Sequence, residues 1–266
     1  MSFSIAAALT PRLSSIGGNA RMSTTFLNRL CGLALMVALP VFLAGEFIHP
    51  PSEEIRWLVL PTYPLAHMLG LGAFLLVLLA IPGFYARQAS RAGRLGLLGF
   101  VLTMLFVAGT CELLMWEAFG APQLASNPAT SYLVVPTPPG AHPLVGATGL
   151  MANGALGTVG RFAVLGAVSL LAALVFGIAT WRARVYPRWA GILQIGGVIL
   201  IPLFALIQAG MSRLGFFNAD LSVIGLSYGT VLLGYAWGGF FLWREGRPVA
   251  SQAASANESV ATAAGA

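Results

Sequence analysis

The chain contains no lysine, few charged residues and only two cysteines. Charged residues make up 8% of its 266 residues, whereas hydrophobic residues make up 58%. A chain with so little charge cannot cover an apolar core with a polar surface in water, which excludes an ordinary soluble domain. The cysteines lack the CxxC spacing of a redox motif, so Cys31 and Cys111 are predicted to be buried packing residues.

All fourteen basic residues are arginines, and the formal net charge is +6. The arginines are spread between apolar stretches instead of forming one contiguous basic stripe. The positive charge therefore does not indicate nucleic-acid binding. Membrane lipids with anionic headgroups are the expected partners.

Six apolar stretches are long enough to cross a bilayer, whose hydrocarbon core needs about 20 helical residues. They cover residues 30–48, 65–85, 95–119, 162–181, 190–211 and 221–243. The predicted fold class is therefore all-α, a polytopic bundle of six transmembrane helices within residues 26–246. The Ser-, Ala- and Gly-rich residues 1–25 are predicted to be disordered or peripheral, and residues 247–266 to form a disordered tail.

The distribution of arginines predicts the orientation of the bundle. Eleven precede the first stretch, follow the sixth, or lie in the second-to-third and fourth-to-fifth loops, whereas Arg56, Arg161 and Arg213 lie on the opposite side. The positive-inside rule then places both termini in the cytoplasm of a bacterial cell with the bundle in its inner membrane. The long external loop, residues 120–160, is predicted to be extended in its first part and interfacial or re-entrant in its second.

Four short motifs carry a resemblance to a known group of proteins. They read GEFIHP at 45–50, LAHMLGL at 65–71, PGFYARQ at 82–88 and GRLGLLGF at 93–100. The motifs resemble those of bacterial multi-span membrane proteins classed only as a domain of unknown function. The resemblance covers roughly the first three stretches and implies a six-span bundle in a bacterial inner membrane. It supplies no reaction and no catalytic residue.

Glycines in the sixth stretch repeat at the small-xxx-small spacing that brings membrane helices into close contact. They are Gly225, Gly229, Gly234 and Gly238. This face is predicted to contact another helix, within the bundle, in a homo-oligomer or in a membrane partner.

Ionisable side chains at membrane depth are expensive and usually face a partner or a cavity. In the predicted topology they gather near the outer ends of the first three stretches, and they are Glu46, His49, His67, Glu112 and Glu117. Glu112 is the deepest of the carboxylates, so His67 is predicted to be its partner. Gln194 and Gln208 are predicted to line a polar cavity or to join helices.

Several functions are compatible with this cluster. The main prediction is a polar pocket near the outer leaflet that binds or translocates a small amphiphile, a lipid or an ion. The alternatives are an intramembrane metalloprotein or enzyme that uses the Glu/His cluster, and an accessory membrane subunit. Because no HExxH or other dedicated motif is present, no cofactor is expected. A transition metal on His49, His67 and Glu112, or one haem on the two histidines, remains an alternative.

Overall fold

The computed structural model describes residues 10–50, 55–131, 158–213 and 220–245, and every regular element in these ranges is helical. The elements are α1 (Thr10–Ile48), α2 (Ile55–Leu58), α3 (Thr62–Met115), a π-helical turn (Trp116–Gly120), α4 (Ala121–Ser126), α5 (Thr158–Ala183), α6 (Arg188–Arg213) and α7 (Asp220–Glu245). The predicted C-terminal tail and most of the second part of the long loop lie outside the described residues.

Helix α3 is a hairpin of two helical arms. It is interrupted at Gly93, whose φ of 57° and ψ of −150° fall in a region that is open essentially only to glycine. Tyr85 stacks on Phe100 with ring centroids 4.6 Å apart, so the chain reverses direction between them. The first arm (62–92) and the second arm (94–115) correspond to the second and third predicted stretches.

Six long helical segments form a closed ring in which each one packs antiparallel to its neighbours. The order around the ring is first arm, second arm, α5, α6, α7 and α1. Phe84 of the first arm lies inside the ring, where its side chain contacts the rings of Phe176, Tyr186 and Tyr235. Buried aromatic side chains of this kind fill the centre of the bundle.

Glycines stand where neighbouring helices cross most closely. At the crossing of α1 and α7, a Cβ atom on Gly239 would lie 2.8 Å from the carbonyl oxygen of Gly32. At the crossing of the second arm and α5, a Cβ atom on Gly99 would lie 2.7 Å from backbone atoms of Phe176. Only a residue without a side chain permits such an approach of two backbones.

The four glycines predicted to pack in the sixth stretch all contact helices of the same chain. Gly225 and Gly229 face α1, Gly234 faces α6, and Gly238 faces both the first arm and α6. All four are buried. This face of α7 is therefore occupied within the bundle, and a second chain is not needed to cover it.

Among the residues that the structure describes, three helices are long and apolar enough to cross a bilayer, by length and composition. They are Thr25–Ile48, Thr62–Ser126, which includes both arms of the hairpin, and Val164–Ala183, and the shorter apolar helix Arg188–Leu200 follows. Large apolar side chains lie on the outside of the ring: Phe47 is 91% exposed and Leu79 is 74% exposed. An apolar outer surface suits lipid as the surrounding medium. The all-helical class and the presence of candidate membrane-spanning helices are confirmed.

The helix ends differ from the predicted boundaries in two places. Helix α1 begins at Thr10, well before the first predicted stretch. After α3 the chain continues as helix to Ser126, so the prediction of an extended segment directly after residue 119 is wrong. Ala121 and Ala125 are buried against α2 and the start of α3, and this apolar contact stabilises the helical conformation there.

Candidate functional site

Three ionisable side chains meet at the end of the bundle where α1 ends and α3 begins. Nε2 of His67 lies 3.2 Å from Oε2 of Glu117 and 3.3 Å from Nε2 of His49. The side chains of His67 and Glu117 are only 4% and 7% exposed, whereas His49 is half-buried. We call this group the Glu117–His67–His49 site.

The backbone determines which imidazole nitrogens carry hydrogen. Nδ1 of His67 lies 2.8 Å from the carbonyl oxygen of Tyr63, and Nδ1 of His49 lies 2.7 Å from that of Pro50. A carbonyl oxygen can only accept, so we assign a hydrogen to both Nδ1 atoms. Without a further proton, the two Nε2 lone pairs and the Glu117 carboxylate would repel one another. One proton on Nε2 of His67 removes this conflict because it is donated toward both acceptors.

Close packing of α1 on the first arm brings the two histidines together. A Cβ atom on Gly45 would lie 2.9 Å from the carbonyl oxygen of Ala66, so glycine allows the two helices to touch next to the site. Glu46 follows on α1 and is half-buried, and its carboxylate interacts electrostatically with the imidazole of His67. Gly225 of α7 leaves the space that the Glu46 carboxylate occupies.

Glu117 lies in the π-helical turn Trp116–Gly120. Pro122 lies two residues after the end of this turn. It lacks the N–H that a continuous α-helix would need, and a wider turn before it accommodates its ring. The N–H of Ala121 accordingly donates to the carbonyl oxygen of Trp116, five residues earlier. Single π-turns within helices are frequent at functional sites.

A small apolar cluster covers the site. It consists of Leu58, Tyr63, Ala121 and Ala125, and all four side chains are buried. The ring of Tyr63 also contacts the imidazole of His67, with ring centroids 4.2 Å apart. The cluster keeps water from Glu117 and His67, which leaves His49 as the member of the site with direct access to the surroundings.

Burial lowers the pKa of His49, and the positive charge of the neighbouring His67 lowers it further. His49 lies just beyond the candidate span Thr25–Ile48. The neutral form of His49 therefore suits its place in the site: its Nε2 is free to accept a proton that His67 donates.

We expect His49 to make the protein less stable as the pH falls. An unfolded histidine takes up a proton near its ordinary pKa of 6.5, whereas folded His49 does so only at lower pH. Its contribution to stability is therefore fully present above pH 6.5 and is lost as the pH falls through the folded pKa. Melting temperatures in detergent from about pH 5 to 8 should fall less steeply at low pH for His49→Gln than for the wild type. Parallel curves would contradict this expectation.

The structure brings together three of the five predicted site residues, with Glu46 beside them. Glu112 is the exception. The sequence predicts Glu112 to be deep and paired with His67, but its side chain is exposed and the carboxylate against His67 is that of Glu117. The predicted pair is wrong because positions 112 and 117 lie on different faces of the helix. Gln194 is buried as predicted for a residue facing the interior, and the side chain of Gln208 lies outside the described residues.

The site has no room for a haem. In the part of the chain that the structure describes, no group of three or more His, Cys, Asp or Glu side chains is spaced so that it could hold a metal ion. The two Nε2 atoms are 3.3 Å apart with ring centroids at 4.8 Å, which leaves no room for a porphyrin between them. The haem alternative is not supported by this geometry, and the metal alternative stays a prediction.

The arrangement can hold one proton between three acceptors in a place with little water.

Comparison with protein-family models, with curated proteins and with solved structures gives no match. The resemblance of the four sequence motifs to uncharacterised bacterial multi-span proteins stays a prediction, and the function follows from the site alone.

Proposed function

We propose that this chain is a six-span protein of a bacterial inner membrane, with both ends in the cytoplasm, that binds and passes on a proton. The observation that carries the proposal is the position of His67, buried between a carboxylate at 3.2 Å and a second imidazole at 3.3 Å. Buried chains of carboxyl and imidazole groups at membrane depth are typical of proton relays in pumps and transporters. The sequence predicts a pocket that binds an amphiphile, a lipid or an ion, and we propose that the ligand is an ion, namely a proton.

Helix lengths and arginines support the six-span topology. Helices α5, α6 and α7 have 26 residues each, about 39 Å at 1.5 Å per residue, which exceeds the hydrocarbon thickness of a bilayer. Eight arginines with described side chains lie at the Gly93 end of the ring, namely Arg29, Arg87, Arg91, Arg94, Arg182, Arg184, Arg188 and Arg244. Arg56 lies at the other end, beside Trp57. The positive-inside rule assigns the Gly93 end to the cytoplasm.

A proton can pass through the site in three balanced steps. Neutral His49 first takes a proton on its Nε2 from a hydronium ion at the surface, which becomes a water molecule. The Nε2 proton of His67 then moves to the Glu117 carboxylate, so both of these groups become neutral. Finally the Nε2 proton of His49 moves to His67, which restores a neutral His49 and a charged His67. One proton has entered and is held by Glu117, and both Nδ1–H donors stay on their carbonyl oxygens throughout.

Nitrogen NMR of the histidine side chains tests this proposal. The chain has three histidines, so substitution of each in turn assigns the signals of purified ¹⁵N-labelled protein. At neutral pH we expect both ring nitrogens of His67 to carry hydrogen, and His49 to carry it on Nδ1 alone. Glu117→Gln removes the negative charge that stabilises the imidazolium, so His67 should become neutral in that variant.

Glu112→Gln is the matched control, since it makes the same chemical change on an exposed residue five positions earlier in the chain. It should leave the His67 signals as they are in the wild type. A wild-type His67 that is neutral between about pH 6 and 7 would overturn the proposal. So would a charged His67 whose signals do not respond to Glu117→Gln.

A further inference from the structure

Two glutamine side chains are fully buried in the part of the ring nearer to Gly93. Gln88 of the first arm and Gln194 of α6 both have 0% exposure. The amide nitrogen of Gln88 donates to the hydroxyl oxygen of Thr180 at 3.1 Å. Its oxygen, and both polar atoms of the Gln194 amide, have no hydrogen-bond partner among the described protein atoms.

Gln194 faces the interior of the ring and not the lipid. A Cβ atom on Gly177 of α5 would lie 3.1 Å from Cβ of Gln194, and one on Gly234 of α7 would lie 3.0 Å from its Cγ. Glycines on both neighbouring helices thus make room for this amide. An unpaired buried amide is costly, and water is the partner that otherwise unsatisfied buried polar groups commonly take in proteins.

A few hydroxyl-bearing side chains lie inside the ring among the aromatic side chains that fill it. A small cavity between the second arm, α5, α6 and α7 is lined by Ser169, Ser227 and Tyr228 among apolar residues. The hydroxyl of Tyr228 interacts with that of Ser169. Seven residues further along α7, Tyr235 is also buried inside the ring, beside the aromatic rings of Phe84 and Phe176.

These groups follow one another along α7 from the site toward Gly93. Gly225 lies against Glu46, Tyr228 is the next inward residue, and Gly234 lies against Gln194. Nine residues separate Gly225 from Gly234, which corresponds to about 13 Å along the helix. A proton route along these groups therefore needs water molecules between them.

We propose that a row of water molecules, which we call the hydrated file, conducts protons between the Glu117–His67–His49 site and the Gly93 end. It is lined by Glu46, the Tyr228 hydroxyl group, Gln194 and Gln88. The inference rests on the proposed proton-binding function and adds a route across the membrane to it. Each transfer moves a proton from one O–H donor to the next oxygen acceptor, so one proton leaves the file for each that enters. The amides stay neutral and hold the water molecules in place.

Proton flux into liposomes tests the route. Purified wild type and variants are reconstituted with a pH-sensitive dye inside, and a pH gradient is applied while potassium and valinomycin compensate the moved charge. Gln194→Leu replaces the amide by an apolar side chain of similar volume, and we expect it to lower the flux at least tenfold. Ile192→Leu, a partly lipid-exposed position of the same helix, is the control and should conduct like the wild type.

The outcomes separate the route from the site. Gln194→Leu should keep the charged His67 signature in ¹⁵N NMR, since it leaves the Glu117–His67–His49 site intact. Gln88→Met is a second variant with the same expected loss of flux. Undiminished flux in both variants, or a wild-type flux equal to that of protein-free liposomes, would overturn the file while a charged His67 still supports the site. A neutral wild-type His67 would overturn the proposed function itself.

Discussion

Replacement of Glu117 by alanine is expected to lower the free energy of unfolding by about 3 kcal/mol or more, because it breaks a buried ion pair by removing one partner. His67 is 4% exposed, and its Nε2 lies 3.2 Å from the Glu117 carboxylate. In the variant, His67 either stays charged without a neighbouring anion or loses its Nε2 proton. In the second case its Nε2 lone pair faces that of His49. Glu117→Gln keeps an acceptor of the same shape and should cost less. Equilibrium unfolding in mixed micelles measures both values.

Glu112→Ala is the control for this prediction. The Glu112 side chain is exposed, so its removal leaves no buried charge behind, and we expect it to cost less stability than Glu117→Ala. The variant with the larger loss in the free energy of unfolding therefore identifies the carboxylate that pairs with His67. A large loss for Glu112→Ala together with a small loss for Glu117→Ala would restore the pair predicted from the sequence and contradict the structure.

Much of the fold follows from the lengths of the apolar stretches. Five of the six predicted stretches lie within long helices or the first helix arm, and the third, 95–119, runs from the second arm into the π-helical turn. The agreement arises because the distances between arginine-rich loops match the length of a helix that crosses a bilayer. The hairpin at Gly93 follows from the same pattern. The continuation of the chain as a π-turn and α4 does not, because it depends on contacts of Ala121 and Ala125 with residues distant in sequence.

The depth of the site in the membrane could be predicted from the sequence, but the helix face that carries its carboxylate could not. His49 and His67 were placed together because α1 ends and α3 begins at the same end of the bundle. The choice between Glu112 and Glu117 needed the inward face of the second arm. Small and buried residues mark that face at Gly96, Gly99, Thr103, Phe106 and Thr110. Continued at helical spacing, this series reaches 117 and excludes 112.

The pairing of donors and acceptors could not be predicted from sequence in any case. It depends on which backbone carbonyl lies beside each Nδ1 atom, and those of Tyr63 and Pro50 are placed by the ends of two different helices. The unpaired amide of Gln194 is a property of three packed helices for the same reason. Sequence patterns give the depth of a polar residue, whereas its partners are set by tertiary contacts.

Replacement of Gly32 by alanine is the second substitution with a large expected effect. A Cβ atom there would lie 2.6 Å from the backbone nitrogen of Trp243 and would also contact the carbonyl oxygen of Gly239. Backbone atoms cannot rotate away as a side chain can, so α1 and α7 must separate along their crossing. We expect a loss of about 2–3 kcal/mol in the free energy of unfolding, near the upper end for overpacked sites.

Gly72→Ala and Gly196→Ala are the matched controls for Gly32→Ala. A Cβ atom at either position meets no atom within 4 Å, so the substitution adds helix propensity without a clash. Both should raise the free energy of unfolding by about 0.5–1 kcal/mol, since alanine loses less conformational entropy than glycine in a helix. The same chemical change is thus expected to have opposite signs at the helix crossing and away from it. Equal effects at all three positions would show that α1 and α7 do not meet at Gly32.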